Sequence, residues 1–378
     1  MKNTVKKLVS FVLSASMLVA GCAMLGSCGD KNNDVYFLGA TGPLTGGAAQ
    51  YGVSVNKGAL LAVKEINAQG GLNGVNFKFE MKDDKAEAAD AQTGFDLLYE
   101  AGMQASLGSV TSGACEGFAS RADEEGVFAM SPSASVATII ENRPTVFRSC
   151  FGDPDQAKIA VQTLLAANYE NIGVIYDSSD DYSKGLYDVF KAEMDKAGKS
   201  FKAQSFTAET KSEFNTQVEE LKNCDVIFLP IYYTEAGLIA KACVAKGCTA
   251  DLFGCDGLDG IATQIGDAEK ANNKITYITP FDVNSTDAKV SAFVSAYEAE
   301  YGVKPDQFAA GAYDTVWAIY EAMKVAGVDD VNISAQDLAE ALVAVFTSDS
   351  FEFVGVTGKI TWDVSGAPTK VPQIVAVK

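Results

Sequence analysis

Three groups of polar residues stand at spacings that invite chemistry. Thr111-Ser112-Gly113 and Ser131-Pro132-Ser133-Ala134-Ser135 put hydroxyl clusters at either end of one helix-and-strand pattern, and Asp256 follows another apolar run in Cys255-Asp256-Gly257. Serines near acids raise nucleophilic catalysis first. A serine or cysteine nucleophile of the triad kind needs an imidazole base, however, and the chain has 0 histidines. It also has no G-x-S-x-G elbow, no G-x-x-x-x-G-K-[ST] loop and no H-E-x-x-H. The Gly-rich stretch TGPLTGGAAQYG (41–52) follows a strand pattern but lacks both G-x-G-x-x-G spacing and a phosphate-loop lysine. Adjacent acids such as Asp83-Asp84 and Asp180-Asp181 could move protons, but at strand ends such pairs are ordinarily solvated loop or cap residues. Cysteines 115, 150, 224, 243, 248 and 255 form no C-x-x-C and have no histidine partner, which argues against zinc. Disulfides in an exported protein and buried free thiols both stay open, because spacing does not decide between them. Neither an enzyme nor a cofactor or metal site is called for, and binding is left.

For binding, what matters is where the strands end. Apolar runs at 35–40, 76–82, 127–130, 171–177, 200–206, 225–230 and 251–254 alternate with helical patterns. One of these patterns places Val55, Ala59, Ala62 and Ile66 on one face and stops at Gly70-Gly71. Others cover 158–167, 184–197, 214–221 and 236–246. Such alternation predicts parallel sheets with helices on both faces, and ligands of these sheets gather outside the carboxyl ends of the strands. Tyr51, Ser112, Ser133, Ser135, Tyr182, Tyr232 and Asp256 all fall there. Taken singly, each has an ordinary alternative. Ser112 reads equally as a helix N-cap, Ser133 and Ser135 as a turn with another cap, and Asp256 as a turn acid before glycine.

At 378 residues the chain has room for two domains, and the rhythm restarts after RSCFGDPDQ (148–156). Beyond about Pro280 it turns helical, over 287–301, 307–326 and 334–345, and closes with a last strand pair, GKITWD and QIVAVK. Its 30 basic against 49 acidic residues, net −19, argue against nucleic acid and against a body lying on anionic lipid. The N-terminus is a separate unit. Lys2, Lys6 and Lys7 precede a short apolar core, and LVAGC ends on Cys22. That pattern is similar to a bacterial lipobox, with lipidation expected at Cys22, MLGSC at Cys28 as the alternative, and GDKNND as a tether.

Longer stretches carry a stronger likeness. LTGGAAQYGVSVNKGALLAVKEINAQGGLNG (44–74), DEEGVFAMSPSAS (123–135), DSSDDYSKGL (177–186), YYTEAGLIAKACVAKGCTADLFGCDGL (232–258) and the late GVTGKITWDVSG resemble, in order, the Leu/Ile/Val-binding protein family. Its members are the substrate-binding lipoproteins or periplasmic receptors of branched-chain amino acid ABC importers. The resemblance runs from about Val35 to the C-terminus.

The resemblance implies an α/β chain of two doubly wound parallel-sheet lobes joined by a three-stranded hinge, the type I periplasmic binding protein fold. Its segments would be 1–33 as signal peptide and tether, 34–149 plus 282–370 as one lobe, and 150–281 plus 371–378 as the other. It implies that Ser112 holds a ligand α-carboxylate through its hydroxyl and N–H. Ser133 would offer a backbone carbonyl to the ammonium, Ser135 would bridge both charged groups, and Tyr232 would reach the carboxylate from the second lobe. Asp256 would be the ammonium's counter-charge, with Tyr51, Tyr182 and Phe308 as pocket walls. Three positions depart from the pattern. Asp256 is one methylene shorter than the usual glutamate, Ser133 adds a hydroxyl, and Thr111 replaces a disulfide cysteine. The implied protein is a monomeric, lipid-anchored, extracytoplasmic receptor that hands a free α-amino acid to a permease and its ATPase subunits. A receptor for an amide, urea or aromatic acid is the alternative, with a serine- or carboxylate-dependent hydrolase behind it.

Overall fold

The computed structural model describes residues 34–377; the leader, with Cys22 and Cys28, lies outside them. A first parallel sheet is built from β1 (Val35–Gly42), β2 (Asn76–Asp83), β3 (Ala105–Ser106), β4 (Phe128–Ser131) and β5 (Val146–Arg148), in the order β2-β1-β3-β4-β5. Helices α1 (Ala49–Ala68), α2 (Ala88–Glu100) and α3 (Ser112–Glu124) make its crossovers. The stripe Val55, Ala59, Ala62 and Ile66 is buried along α1, and the chain turns out of the helix where Gly70 and Gly71 take φ of 98° and 67°, open to glycine.

The second sheet repeats the plan. It contains β6 (Ile172–Asp177), β7 (Lys202–Phe206), β8 (Val226–Leu229), β9 (Asp251–Gly254) and β10 (Ile275–Thr279), with α4 (Asp153–Ala166), α5 (Asp181–Lys196), α6 (Asn215–Leu221), α7 (Tyr233–Lys246) and α8 (Asp267–Asn272). Running β10-β9-β8-β6-β7, it mirrors the first sheet strand for strand, since in each the second strand flanks the first and the third lies on its other side. Both sheets therefore reverse direction of progress at one point, and crevices open there at the carboxyl ends.

Helices α9 (Ala288–Tyr301), α10 (Gln307–Ala326) and α11 (Ala335–Phe346) return to the first sheet. Gly58 lets α1 and α10 touch, because a Cβ there would stand 2.1 Å from the Ala309 carbonyl oxygen. Phe346 stacks on Phe128 of β4 at 5.4 Å between ring centroids, fixing α11 on the sheet. The small sheet of β11 (Phe353–Gly355), β12 (Gly358–Trp362) and β13 (Pro368–Thr369) follows, and then β14 (Gln373–Ala376). The chain thus crosses between the two large sheets three times, after β5, after β10 and after β13.

The terminal strands correct the sequence reading. GKITWD and QIVAVK are not a pair: β12 lies between β11 and β13, whereas β14 runs antiparallel to β10, with Thr276 opposite Ala376. Alternation marks a strand but says nothing of its partner, and β10, whose open edge receives β14, had no strong pattern of its own. Strands β3 and β5, with two and three residues, are too short to show alternation at all.

Candidate functional site

The carboxyl ends of the two sheets face each other across a narrow cavity with only about 10 Å³ of free space. One wall consists of Tyr51, Val110, Thr111, Ser112, Ser133 and Phe308, the other of Tyr182, Tyr232, Asp256 and Gly257. Seven of the eight residues singled out in the sequence line it; Ser135 sits just behind. A second void, also of about 10 Å³, adjoins it, sharing Ser133, Asp256 and Phe308 and reaching Lys370 at the third crossing. The widest concavity lies elsewhere, on the outer face between α9, α10 and β11, and gathers no comparable set of polar groups from two lobes.

On the first wall, α3 begins at Ser112, and Thr111 rather than Ser112 occupies the N-cap, with no side-chain cap bond. That leaves N–H groups of the first turn and the buried Thr111 hydroxyl without partners in the chain. Ser112 Oγ accepts from the Ser135 N–H at 3.2 Å and the Val136 N–H at 3.3 Å. Both of its lone-pair sites are occupied, so its own hydrogen is available to a ligand acceptor. Ser133 donates its hydroxyl to the Val110 carbonyl at 2.5 Å. The extra hydroxyl noted in the sequence therefore turns away from the cavity and adds little polarity to it.

The second wall is aromatic and acidic. Tyr182 and Tyr232 stack at 5.0 Å with ring planes 9° apart, and Tyr51 meets Tyr232 edge-on at 5.6 Å. Tyr182 OH donates to Asp256 Oδ1 at 2.7 Å while accepting from the Gly257 N–H at 2.9 Å. Gly257 admits no side chain, since a Cβ would lie 2.7 Å from that hydroxyl and 2.8 Å from the Ile231 carbonyl oxygen. Gln156 and Gln307 clamp the Asp256 backbone, one accepting from its N–H and the other donating to its carbonyl. Burial pushes the Asp256 carboxyl up to about 6, against the pull of Tyr182 and Gln156. Tyr232 OH is buried with no partner in the chain.

Sequence reasoning missed Asp153. It is 1% exposed at the start of α4, and both carboxylate oxygens lack a hydrogen bond within the chain. Burial holds its carboxyl well above the usual range; Ser135 lies near enough to favour the ionised form, yet Ser135 Oγ completes no bond with it, Asp256 repels it, and the Arg148 guanidinium offsets this only in part. The Gln156 amide nitrogen is unpartnered too. Asp153-Pro154-Asp155 looks like an ordinary helix start, and the strand before it, β5, was not recognised. Had β5 been seen, Asp153 would have fallen at a strand's carboxyl end with the others.

Tyr51 ties the walls together, donating to the Gly257 carbonyl at 2.5 Å and accepting from the Tyr233 N–H at 3.0 Å. Thr234 donates to the Gly47 carbonyl at 2.9 Å beside it. The lobes are closed, and buried polar groups from both converge on this narrow space.

Comparison with known proteins agrees with this architecture. The sequence profile of a family described as periplasmic binding protein matches residues 36–370. The Leu/Ile/Val-binding protein BraC3 of Rhizobium johnstonii is 28% identical over 332 residues, covering 87% of this chain and 88% of its own. The branched-chain amino acid transporter substrate-binding protein LivJ of Streptococcus pneumoniae, solved in complex with isoleucine, superposes with a TM-score of 0.81 at 29% identity, covering 91% of this chain and 96% of its own. A solute-binding protein of an ABC transporter from R. palustris, in complex with benzoate, shares the fold with a TM-score of 0.79 at 20% identity, covering 91% and 93%.

Proposed function

Because the chain belongs to the periplasmic binding protein family, we propose that it closes on a free α-amino acid, branched-chain or otherwise apolar, and delivers it to an ABC importer. The observation that carries this reading is the set of buried, unpartnered polar groups at one small cavity: Thr111 and Tyr232 on its opposite walls, with Ser135, Asp153 and Gln156 next to the lining residues Ser112 and Asp256. Unmade hydrogen bonds at buried groups cost about 1–3 kcal/mol each, so such a set calls for a ligand with complementary charges. A carboxylate fits the N–H groups opening α3, the Thr111 hydroxyl and the free hydrogen of Ser112. An ammonium fits between Asp256, Asp153 and the Ser135 hydroxyl. The apolar remainder meets Tyr51, Val110, Tyr182, Tyr232 and Phe308.

The lobes in this reading are 34–149 plus 282–370 and 150–281 plus 371–378, moving about the three crossings. Lipid on Cys22, or on Cys28, would hold the receptor near its permease and raise effective concentration. Among the described residues no helix is long and apolar enough to cross a membrane.

Calorimetry with a panel of amino acids, on protein unfolded and refolded to strip carried ligand, tests the proposal. Binding of a small apolar α-amino acid is expected; no heat with any α-amino acid overturns it. An aromatic acid is the second reading, favoured by the stacked tyrosines of the wall and by the benzoate-bound structural neighbour. An acid without an ammonium does not need a carboxylate partner, so Asp256→Asn would leave its binding intact.

A further inference from the structure

Away from the ligand cavity, the far end of α7 is capped in a way that brings two cysteines together. Gly247 takes φ 65°, its N–H bonds the Val244 carbonyl at 3.3 Å, and the Cys248 N–H bonds the Cys243 carbonyl at 2.9 Å. This is the double-bonded Schellman termination, in which the side chains of the third residue from the helix end and the second residue beyond it meet. Those two places are held by Cys243 and Cys248. The loop is pinned further by Asn272 and Asn273, whose amides donate to the Cys248 carbonyl at 2.7 and 3.1 Å. Both residues are fully buried, in the same apolar cluster as Leu221, Ala250, Leu252 and Ile275.

We infer that Cys243 and Cys248 are a disulfide-forming pair, joined during folding outside the cytoplasm and then sealed in the core. The family's extracytoplasmic setting permits this chemistry. The oxidant is a protein or low-molecular-weight disulfide. The Cys248 thiolate attacks one of its sulfurs, and one thiol leaves. The Cys243 thiolate then displaces the second from the mixed disulfide, so one disulfide forms, one is reduced to two thiols, and two protons pass to solvent or the leaving thiolates. The pair differs from the chain's solitary cysteines. The Cys243 thiol beside it favours thiolate at Cys248 and brings that thiol below its ordinary value. Cys115 and Cys150, by contrast, are pushed up to about 12 by burial. Closing a short loop at the helix end would fasten the base of α7, whose other end presents Tyr232 to the cavity.

Peptide mapping tests this on full-length protein exported by its own leader, or refolded in a glutathione redox buffer. The protein is denatured, alkylated without reduction and digested with trypsin, which separates the two cysteines by cutting after Lys246. The expected result is a reducible link between the peptides 242–246 and 247–270, lost in Cys248→Ser with Cys243 then alkylated. Free, alkylated 242–246 from the wild-type protein overturns the inference. So does a link that survives Cys248→Ser, which would come from Cys255. Reduction is expected to lower the unfolding temperature of wild type but not of the Cys243→Ser/Cys248→Ser protein. Amino-acid affinity should be alike in both, so failure here is distinct from failure of the receptor reading.

Discussion

The two walls of the cavity prepare for opposite charges by different means. The first wall is neutral: helix-end N–H groups, the Thr111 hydroxyl and a serine whose lone pairs are already occupied by Ser135 and Val136. It is preorganised, and withdrawing it from water exposes no ionised side chain to the interior. The second wall carries Asp256, with Asp153 close by outside the lining, both desolvated, both raised, and repelling each other. Arg148 favours ionisation of Asp153, but Asp256 has no such partner, and a buried carboxylate without a cation resists ionisation until a ligand brings positive charge. On the proposed amino-acid reading, recognition of the carboxylate end would be built into the fold, whereas recognition of the ammonium end would be completed by the ligand.

The strongest way to break this contrast is to remove the charge. Asp256→Asn should weaken α-amino acid binding by about 2–5 kcal/mol, the usual cost of truncating one partner of a buried charge pair, measured by calorimetry. Ser112→Ala on the opposite wall should cost less, about 1.5–3 kcal/mol, because the α3 N–H groups and Thr111 remain. Equal losses at the two positions would mean that the walls are not different in kind.

Acidity sharpens the same contrast by touching one wall only. Asp256 is lifted to about 6, so below that pH the ligand-free site holds a proton that an incoming ammonium must displace. Affinity should fall by up to about tenfold per pH unit as the medium is acidified below 6, with one proton released per ligand bound. Stability of the ligand-free protein runs the other way. Its native state binds a proton more readily than the unfolded chain, so this group's contribution declines as pH rises from about 4 to about 6. Asp256→Asn should flatten the binding profile; Ser112→Ala should leave its shape unchanged. A steep profile surviving in Asp256→Asn would move the titrating role to Asp153.

How much of this was legible in the sequence follows from what each signal encodes. The long strands β1, β2 and β6 and the helices α1 and α10 announce themselves by periodicity, and the carboxyl-end rule then places Tyr51, Ser112, Tyr182, Tyr232 and Asp256 near one another. Which lobe the late helices join is a matter of tertiary packing, written in contacts such as Phe346 on Phe128 rather than in any local pattern. The direction of a hydroxyl is less legible still. Ser133 and Ser135 look alike in SPSAS, yet one is spent on Val110 and the other lies unpaired beside Asp153. Asp153 was hidden because its meaning depends on β5, three residues long.

The smallest expected effect separates the walls from the latch between them. Tyr51 rises from the first lobe but bonds only to the second, through the Gly257 carbonyl and the Tyr233 N–H. In an open form water would serve those two groups, so the bond matters to closure and not to ligand charge. Tyr51→Phe keeps the ring against Phe308, at 4.3 Å between centroids, and removes only the hydroxyl. Affinity should drop by about 0.5–1.5 kcal/mol, the net worth of a typical hydrogen bond. The pH profile should keep its shape, and solution scattering should show the ligand-free protein shifted toward open forms. A change in the pH profile would tie Tyr51 to the acidic wall instead. An unchanged open–closed balance would mean that the ligand alone draws the lobes together.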